Sequence, residues 1–139
     1  MMKLNLQPLE QAIEQLETSL QFANSEMALK DKKLFEQFRN SVIKCFEYTY
    51  EISWKMLKRQ LEKDSPSPEV IDTLSFNDFI REGAEYGLID EPDKWFEYRQ
   101  FRNLTSHTYD KHKAQQVYLK APSLLESAKN LLAHLKAKN

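Results

Sequence analysis

Residues 31–63 read DKKLFEQFRNSVIKCFEYTYEISWKMLKRQLEK, and this stretch decides the fold. Phe35, Phe38, Val42, Cys45, Thr49, Ile52 and Met56 recur at alternating steps of three and four, the period of one helix face. Phe46, Trp54, Leu57 and Leu61 widen that stripe, so the helix is expected to pack on two or more neighbours. At ~1.5 Å per residue it spans ~48 Å, longer than a domain of this size is wide. Part of it is therefore expected to project, or to be covered by a partner. Asp64-Ser-Pro-Ser-Pro68 ends it, because two prolines cannot continue a helix.

The flanks carry the same period. Upstream, Leu6, Leu9, Ile13, Leu16, Leu20 and Ala23 line one helix face, with Pro8 in the first turn, where proline is tolerated. Downstream, Ser75-Phe-Asn-Asp78 reads as a capping box opening a helix that stops near Gly87. Asp90-Glu-Pro-Asp93 opens another, carrying Trp95, Phe96, Phe101 and Leu104. Asp110 is placed to cap a short helix through Leu119, and Pro122 to restart a last one holding Leu124, Leu125, Ala128, Leu131, Leu132 and Leu135. Tight hairpins need glycine or asparagine at positive φ, and only Gly83 and Gly87 occur. The expected architecture is an all-α bundle of four to six helices built on two long antiparallel helices, with residues 1–139 forming one domain.

Composition narrows the function. The 139 residues are 41% apolar and 29% charged, which suits neither a disordered chain nor a membrane protein. No apolar run reaches the ~18 residues of a membrane span, and the first residues carry no secretory pattern. Twenty basic against 21 acidic residues exclude a uniformly basic nucleic-acid surface, though not a local basic cleft. The single cysteine, Cys45, leaves no intramolecular disulfide and no cysteine-rich zinc site, so a reducing cytoplasm is the expected location.

One cluster suggests chemistry. Residues 102–110 read Arg-Asn-Leu-Thr-Ser-His-Thr-Tyr-Asp. On a helix Arg102 and His107 stand ~140° apart, so they share no stripe, but a long arginine and a fraying helix end let both flank one groove. Asn103 is four residues before His107 and shares its face, and Asp110 is placed to orient the imidazole if the helix lasts that far. The chemistry open to this set is phosphodiester cleavage. His107 moves a proton, Arg102 holds the phosphate through two hydrogen bonds, and RNA brings its own 2′-hydroxyl nucleophile, with no metal required. One histidine per chain is thin for both acid and base roles; a two-fold dimer supplies a second His107 and Arg102. From composition alone a solvated helix end is the commoner meaning of such a cluster.

Other candidates are weaker. His107, Asp110 and His112 match no zinc spacing. Cys45 lies on the apolar stripe and reads as a small core residue. Tyr48 and Tyr50, off the main stripe, are candidates for an interface, while Phe46 and Trp54 pack by default. Lys55, Lys58, Arg59 and Lys63 read as a solvated helix end, and His134 has no evident partner.

Phe46-Glu-Tyr-Thr-Tyr-Glu-Ile-Ser-Trp-Lys55, Gly87-Leu-Ile-Asp90, Trp95 and the segment Arg102–Asp110 resemble the nucleotidyltransferase substrate-binding protein family of the HEPN superfamily. The resemblance runs from roughly Leu9 to Leu135. It implies a small HEPN-like helical domain that forms a homodimer, with the motif of each chain in a shared cleft. It also implies a minimal nucleotidyltransferase encoded nearby as partner, and no cofactor. In the endoribonuclease toxins of the superfamily, the positions matching Arg102 and His107 carry cleavage and that matching Asn103 supports the site. The position matching Tyr109 is adenylylated by the transferase, which silences the toxin.

Two functions are therefore expected to compete. The first is a non-enzymatic partner subunit that binds or presents a nucleotide substrate to the transferase in the dimer cleft. The second is a metal-independent endoribonuclease toxin using Arg102 and His107, silenced by modification of Tyr109. A dimeric scaffold whose polar motif only ties helix ends together is the third, purely structural alternative.

Overall fold

The computed structural model describes residues 3–139. Seven α-helices form among them: α1 (Gln7–Ala23), α2 (Glu26–Lys30), α3 (Lys32–Asp64), α4 (Pro68–Ile71), α5 (Phe76–Glu85), α6 (Pro92–Leu104) and α7 (Lys111–Lys138), with a 3₁₀ turn at Thr105–His107. No strand occurs among the described residues. The count exceeds the expected range because two short helices, α2 and α4, are too brief to leave a periodic signal.

Local signals account for most boundaries. Asp31 caps α3 by accepting from the Lys33 and Leu34 N–H groups at 3.1 and 3.2 Å. Ser75 Oγ accepts from Asp78 N–H at 3.2 Å at the start of α5. Gly87, at φ 78°, lets the chain leave α5 in the left-handed region.

α1 and α3 run antiparallel. Thr49 Oγ1 donates to the Ala12 carbonyl, while Ser19 lies beside Ser41 and Cys45. The departure is α7. Pro122 does not begin a helix, as its local signal suggests; it sits inside one of 28 residues. Its missing N–H and bulky ring fall on an exposed face, where water can serve the freed carbonyl. Ala114, Val117, Ala121, Leu124, Ala128, Leu131 and Leu135 stay buried in phase on both sides of it, so core packing outweighs the local cost.

This second long helix runs parallel to α3. Glu36 and Arg39 meet Lys111 and Gln115 at one end, and Gln60 and Lys63 meet Asn139 at the other. At ~1.5 Å per residue α7 extends ~42 Å beside α3. The excess length of α3 therefore does not project; α7 flanks it, and Ile71 of α4 is buried near its C-terminal end, where Lys58 pairs with Asp72. α6 returns the chain between the two, antiparallel to both. The result is an up-down-up-down arrangement of α1, α3, α6 and α7 around one apolar cluster reaching from Leu6 to Leu135.

α6 is seated by Tyr98, which is fully buried. Its ring meets Phe46 and Trp95 edge-on, with centroids at 6.4 and 5.3 Å. Its hydroxyl lies 2.7 Å from Ser123 Oγ and 2.6 Å from Ser127 Oγ on α7. We predict that Tyr98→Phe, which keeps the ring and strands these hydroxyls, lowers unfolding stability by about 1–2 kcal/mol in urea titration. An unchanged midpoint would show that the serines re-pair with their own helix.

Candidate functional site at the α6–α7 junction

Arg102 lies in the last turn of α6 and faces α3. Its Nε donates to Glu51 Oε1 at 2.9 Å, and its Nη2 lies 3.6 Å from Glu47 Oε1. Glu47 and Glu51 are four residues apart and share one face of α3. Glu51 Oε2 also accepts from the Trp54 indole N–H at 3.1 Å, so one carboxylate ties the motif arginine to an aromatic wall. All three ionic side chains are about one-third exposed, so each contact contributes on the order of 1 kcal/mol or less. The two carboxylates hold the guanidinium in place and also compete for it with any phosphate.

Beyond Arg102 the backbone tightens. Thr105 Oγ1 lies 2.6 Å from the Arg102 carbonyl, and Ser106 Oγ donates to the Asn103 carbonyl at 3.2 Å. Hydroxyls bonded three residues back compete with the helical ladder, and here the α-helix gives way to a 3₁₀ turn. Thr105 also reaches Glu47 Oε2 at 3.3 Å, which anchors the turn to α3. His107 closes the turn, partly buried. Its Nδ1 lies 3.3 Å from the Tyr109 hydroxyl, with the rings edge to face at 5.9 Å. Tyr109 itself is 81% exposed, so its hydroxyl is open to a large reagent while touching the imidazole.

The residues singled out in the sequence divide into two groups. Arg102 and Asn103 line an open groove between α3, α4, α5 and α6, with a volume of about 430 Å³. His107 and Tyr109 pair on the turn and do not line that groove. The 3₁₀ tightening breaks the four-residue register by which Asn103 is expected to share the face of His107. Asp110 does not meet the imidazole in this arrangement. Its carboxylate caps α7, accepting from the His112 and Lys113 N–H groups at 2.9 and 3.2 Å. These bonds, that from Lys113 foremost, hold the Asp110 carboxyl below its ordinary range. His107, Asp110 and His112 form no ligand cluster among the described residues.

Two residues outside the motif, Glu47 and Glu51, escape sequence reasoning. Their signal is a carboxylate pair at i, i+4 on the stretch that faces a motif arginine. Of the two tyrosines expected at an interface, Tyr48 is 51% exposed, but Tyr50 is buried under the groove. Burial pushes the Tyr50 phenol well above its ordinary value. His134, for which the sequence offers no evident partner, lies 3.0 Å from both oxygens of Asp90.

An up-and-down helical bundle with an Arg-x4-His-x-Tyr module at the junction of its last two helices is the class defined so far. The chain belongs to the nucleotidyltransferase substrate binding protein like family, which it matches over residues 4–137. It is 37% identical to the probable ribonuclease HepT of Haemophilus influenzae, across 99% of this chain and 95% of that protein. A solved Haemophilus influenzae structure, described as revealing the fold of a substrate binding domain of a nucleotidyltransferase, superposes with a TM-score of 0.89. That match is at 36% identity and covers 95% of this chain and 99% of that one. A solved Thermus thermophilus protein superposes at 0.67, with 25% identity over 91% and 98% of the two chains. No helix among the described residues is long and apolar enough to cross a membrane.

The Asp110 cap gives a pH-dependent prediction. Its folded-state carboxyl lies below the ordinary value of 3.8, so its charge stabilises the fold above that value. The contribution is lost as pH falls through the lower folded value. Asp110→Ala is expected to lower the melting temperature at pH 7, with the gap from the parent closing in strong acid. A gap independent of pH would place the effect elsewhere than in the charged cap.

Proposed function

We propose that this chain is the ribonuclease half of a pair with a minimal nucleotidyltransferase, and that modification of Tyr109 by the transferase silences it. The observation that carries the reading is the contact between the His107 imidazole and an exposed Tyr109 hydroxyl. A group added to that hydroxyl lands against the proposed catalytic nitrogen base. The likeness to the probable ribonuclease HepT across nearly the whole chain supports it.

The chemistry uses two copies of the chain in a homodimer. The RNA 2′-oxygen attacks the adjacent phosphorus while one neutral His107 takes its proton. The bond from phosphorus to the 5′-oxygen breaks, and the second, protonated His107 protonates that oxygen. The products are a 2′,3′-cyclic phosphate and a 5′-hydroxyl. Arg102 stabilises the charge building on the non-bridging oxygens, having exchanged Glu51 and Glu47 for phosphate, and Asn103 contributes a further polar group. Asp110 supports the site indirectly, by fixing where α7 begins. Silencing is a transfer of AMP from ATP to Tyr109. The phenol oxygen bonds to the α-phosphorus, pyrophosphate leaves, and the phenol proton passes to a base of the transferase. The resulting anion repels the RNA phosphate and removes the hydroxyl from Nδ1.

The pairing of Arg102 with two carboxylates favours a second reading, in which the subunit binds or presents a nucleotide substrate without cleaving it. Expressing the parent chain beside Arg102→Ala and His107→Ala separates the two. We expect growth arrest and RNA cleavage by the parent, with a loss of about 10²–10³-fold in each variant. We also expect the parent to gain the mass of an adenylyl group at Tyr109, and to lose activity, when the transferase and ATP are supplied. Harmless expression and no cleavage by the purified dimer would establish the substrate-presenting subunit instead.

A further inference from the structure

The groove beside Arg102 has a composition of its own. Tyr50 and Phe79 form a buried apolar floor, and Trp54 and Phe76 are half-buried along the walls. Three cations and two carboxylates line it: Lys58, Arg99 and Arg102 against Glu51 and Asp72. Two of the cations are already neutralised. Lys58 Nζ lies 2.8 Å from Asp72, and Arg102 is held by Glu51. Arg99 has no carboxylate within ion-pairing distance among the described residues; its guanidinium lies over the Phe76 ring, 4.5 Å from the centroid. The groove thus offers aromatic faces with one uncommitted positive charge held flat against one of them.

We propose that this groove is a nucleotide site, seating one base against Trp54 above the Tyr50 and Phe79 floor and the attached phosphate on Arg99. Stacking on an aromatic face holds a base and is tolerant of sequence. A guanidinium matches a phosphate through two parallel hydrogen bonds and stays preorganised by its own stacking. A volume of about 430 Å³ suits one nucleotide and excludes a duplex. Arg99 and Arg102 are three residues apart on α6 and share a face, and Arg102 and Asn103 border both the groove and the proposed cleavage site. A strand bound with its scissile phosphate at Arg102 therefore has a neighbouring nucleotide at the groove. This inference deepens the ribonuclease reading and rests on it for the source of the nucleotide, though not for the site itself.

Trp54 reports occupancy, because Trp95 is buried away from solvent. The full chain is titrated with 5′-AMP, with inorganic phosphate, and, as the non-cleaving His107→Ala variant, with a short single-stranded oligoribonucleotide. The expected result is saturable quenching of Trp54 by AMP, much weaker binding of phosphate alone, and roughly tenfold weaker AMP binding in Arg99→Ala. Because Arg99 is exposed, that variant is expected to fold. Trp54→Phe removes the optical signal while calorimetry still detects binding. Displacement of AMP by the oligoribonucleotide identifies RNA as the source; AMP binding that the oligoribonucleotide does not displace identifies a free nucleotide, and either supports the site. Absence of any nucleotide response, or phosphate binding as tightly as AMP with no effect of Arg99→Ala, overturns it. The two proposals fail separately. RNA cleavage by a chain that shows no AMP response removes the groove and leaves the ribonuclease. AMP binding by a chain that cleaves no RNA does the reverse.

Discussion

Helix α6 is pinned at two points one turn apart. Tyr98 inserts a buried ring and hydroxyl between α3 and α7, and Arg102 reaches a carboxylate pair on α3. The two contacts act differently. The Tyr98 hydroxyl has no access to water, so leaving it or its serines unpaired costs on the order of 1–3 kcal/mol, and that penalty fixes the register of the helix. The Arg102 contacts are partly solvated and individually weak. They orient the end of the helix without locking it. Strong pinning at the centre and weak pinning at the tip leave the residues that follow placed but available.

Those residues occupy a short bridge between two strongly determined ends. The hydroxyls of Thr105 and Ser106 close off α6, and the Asp110 carboxylate starts α7. Between them His107 and Tyr109 meet. Glu51 links this junction to the neighbouring groove, since its two oxygens serve Arg102 and Trp54. A single carboxylate thus touches both the junction and the groove wall.

Much of this is legible in the residues themselves. The apolar stripe on residues 35–61 specifies α3, the Ser75 and Asp110 caps mark two helix starts, and the class and family follow. What escapes has specific physical causes. Proline at 122 carries a strong local stop signal, and only the burial of residues on both sides of it, a tertiary effect, carries the helix through. The parallel course of α3 and α7 depends on α6 folding back between them, which periodicity does not encode. Tyr50 looks off-stripe on α3 because the elements that cover it, α5 and α6, lie far away in sequence. Glu47 and Glu51 read as ordinary surface charges until α6 brings Arg102 to them. Arg102, His107 and Tyr109 stand out by residue type and spacing. Their division into a groove side and a turn side comes from the switch to a 3₁₀ turn.

His107 acting as a proton carrier in attack by the RNA's own 2′-hydroxyl is the claim on which the proposed function stands. End-group analysis of RNA exposed to the purified chain tests this most directly. Fragments ending in a 2′,3′-cyclic phosphate with 5′-hydroxyl partners, formed by the parent and absent with His107→Ala, are the predicted result. Fragments bearing 5′-phosphates, or cyclic ends made equally well without His107, would contradict it.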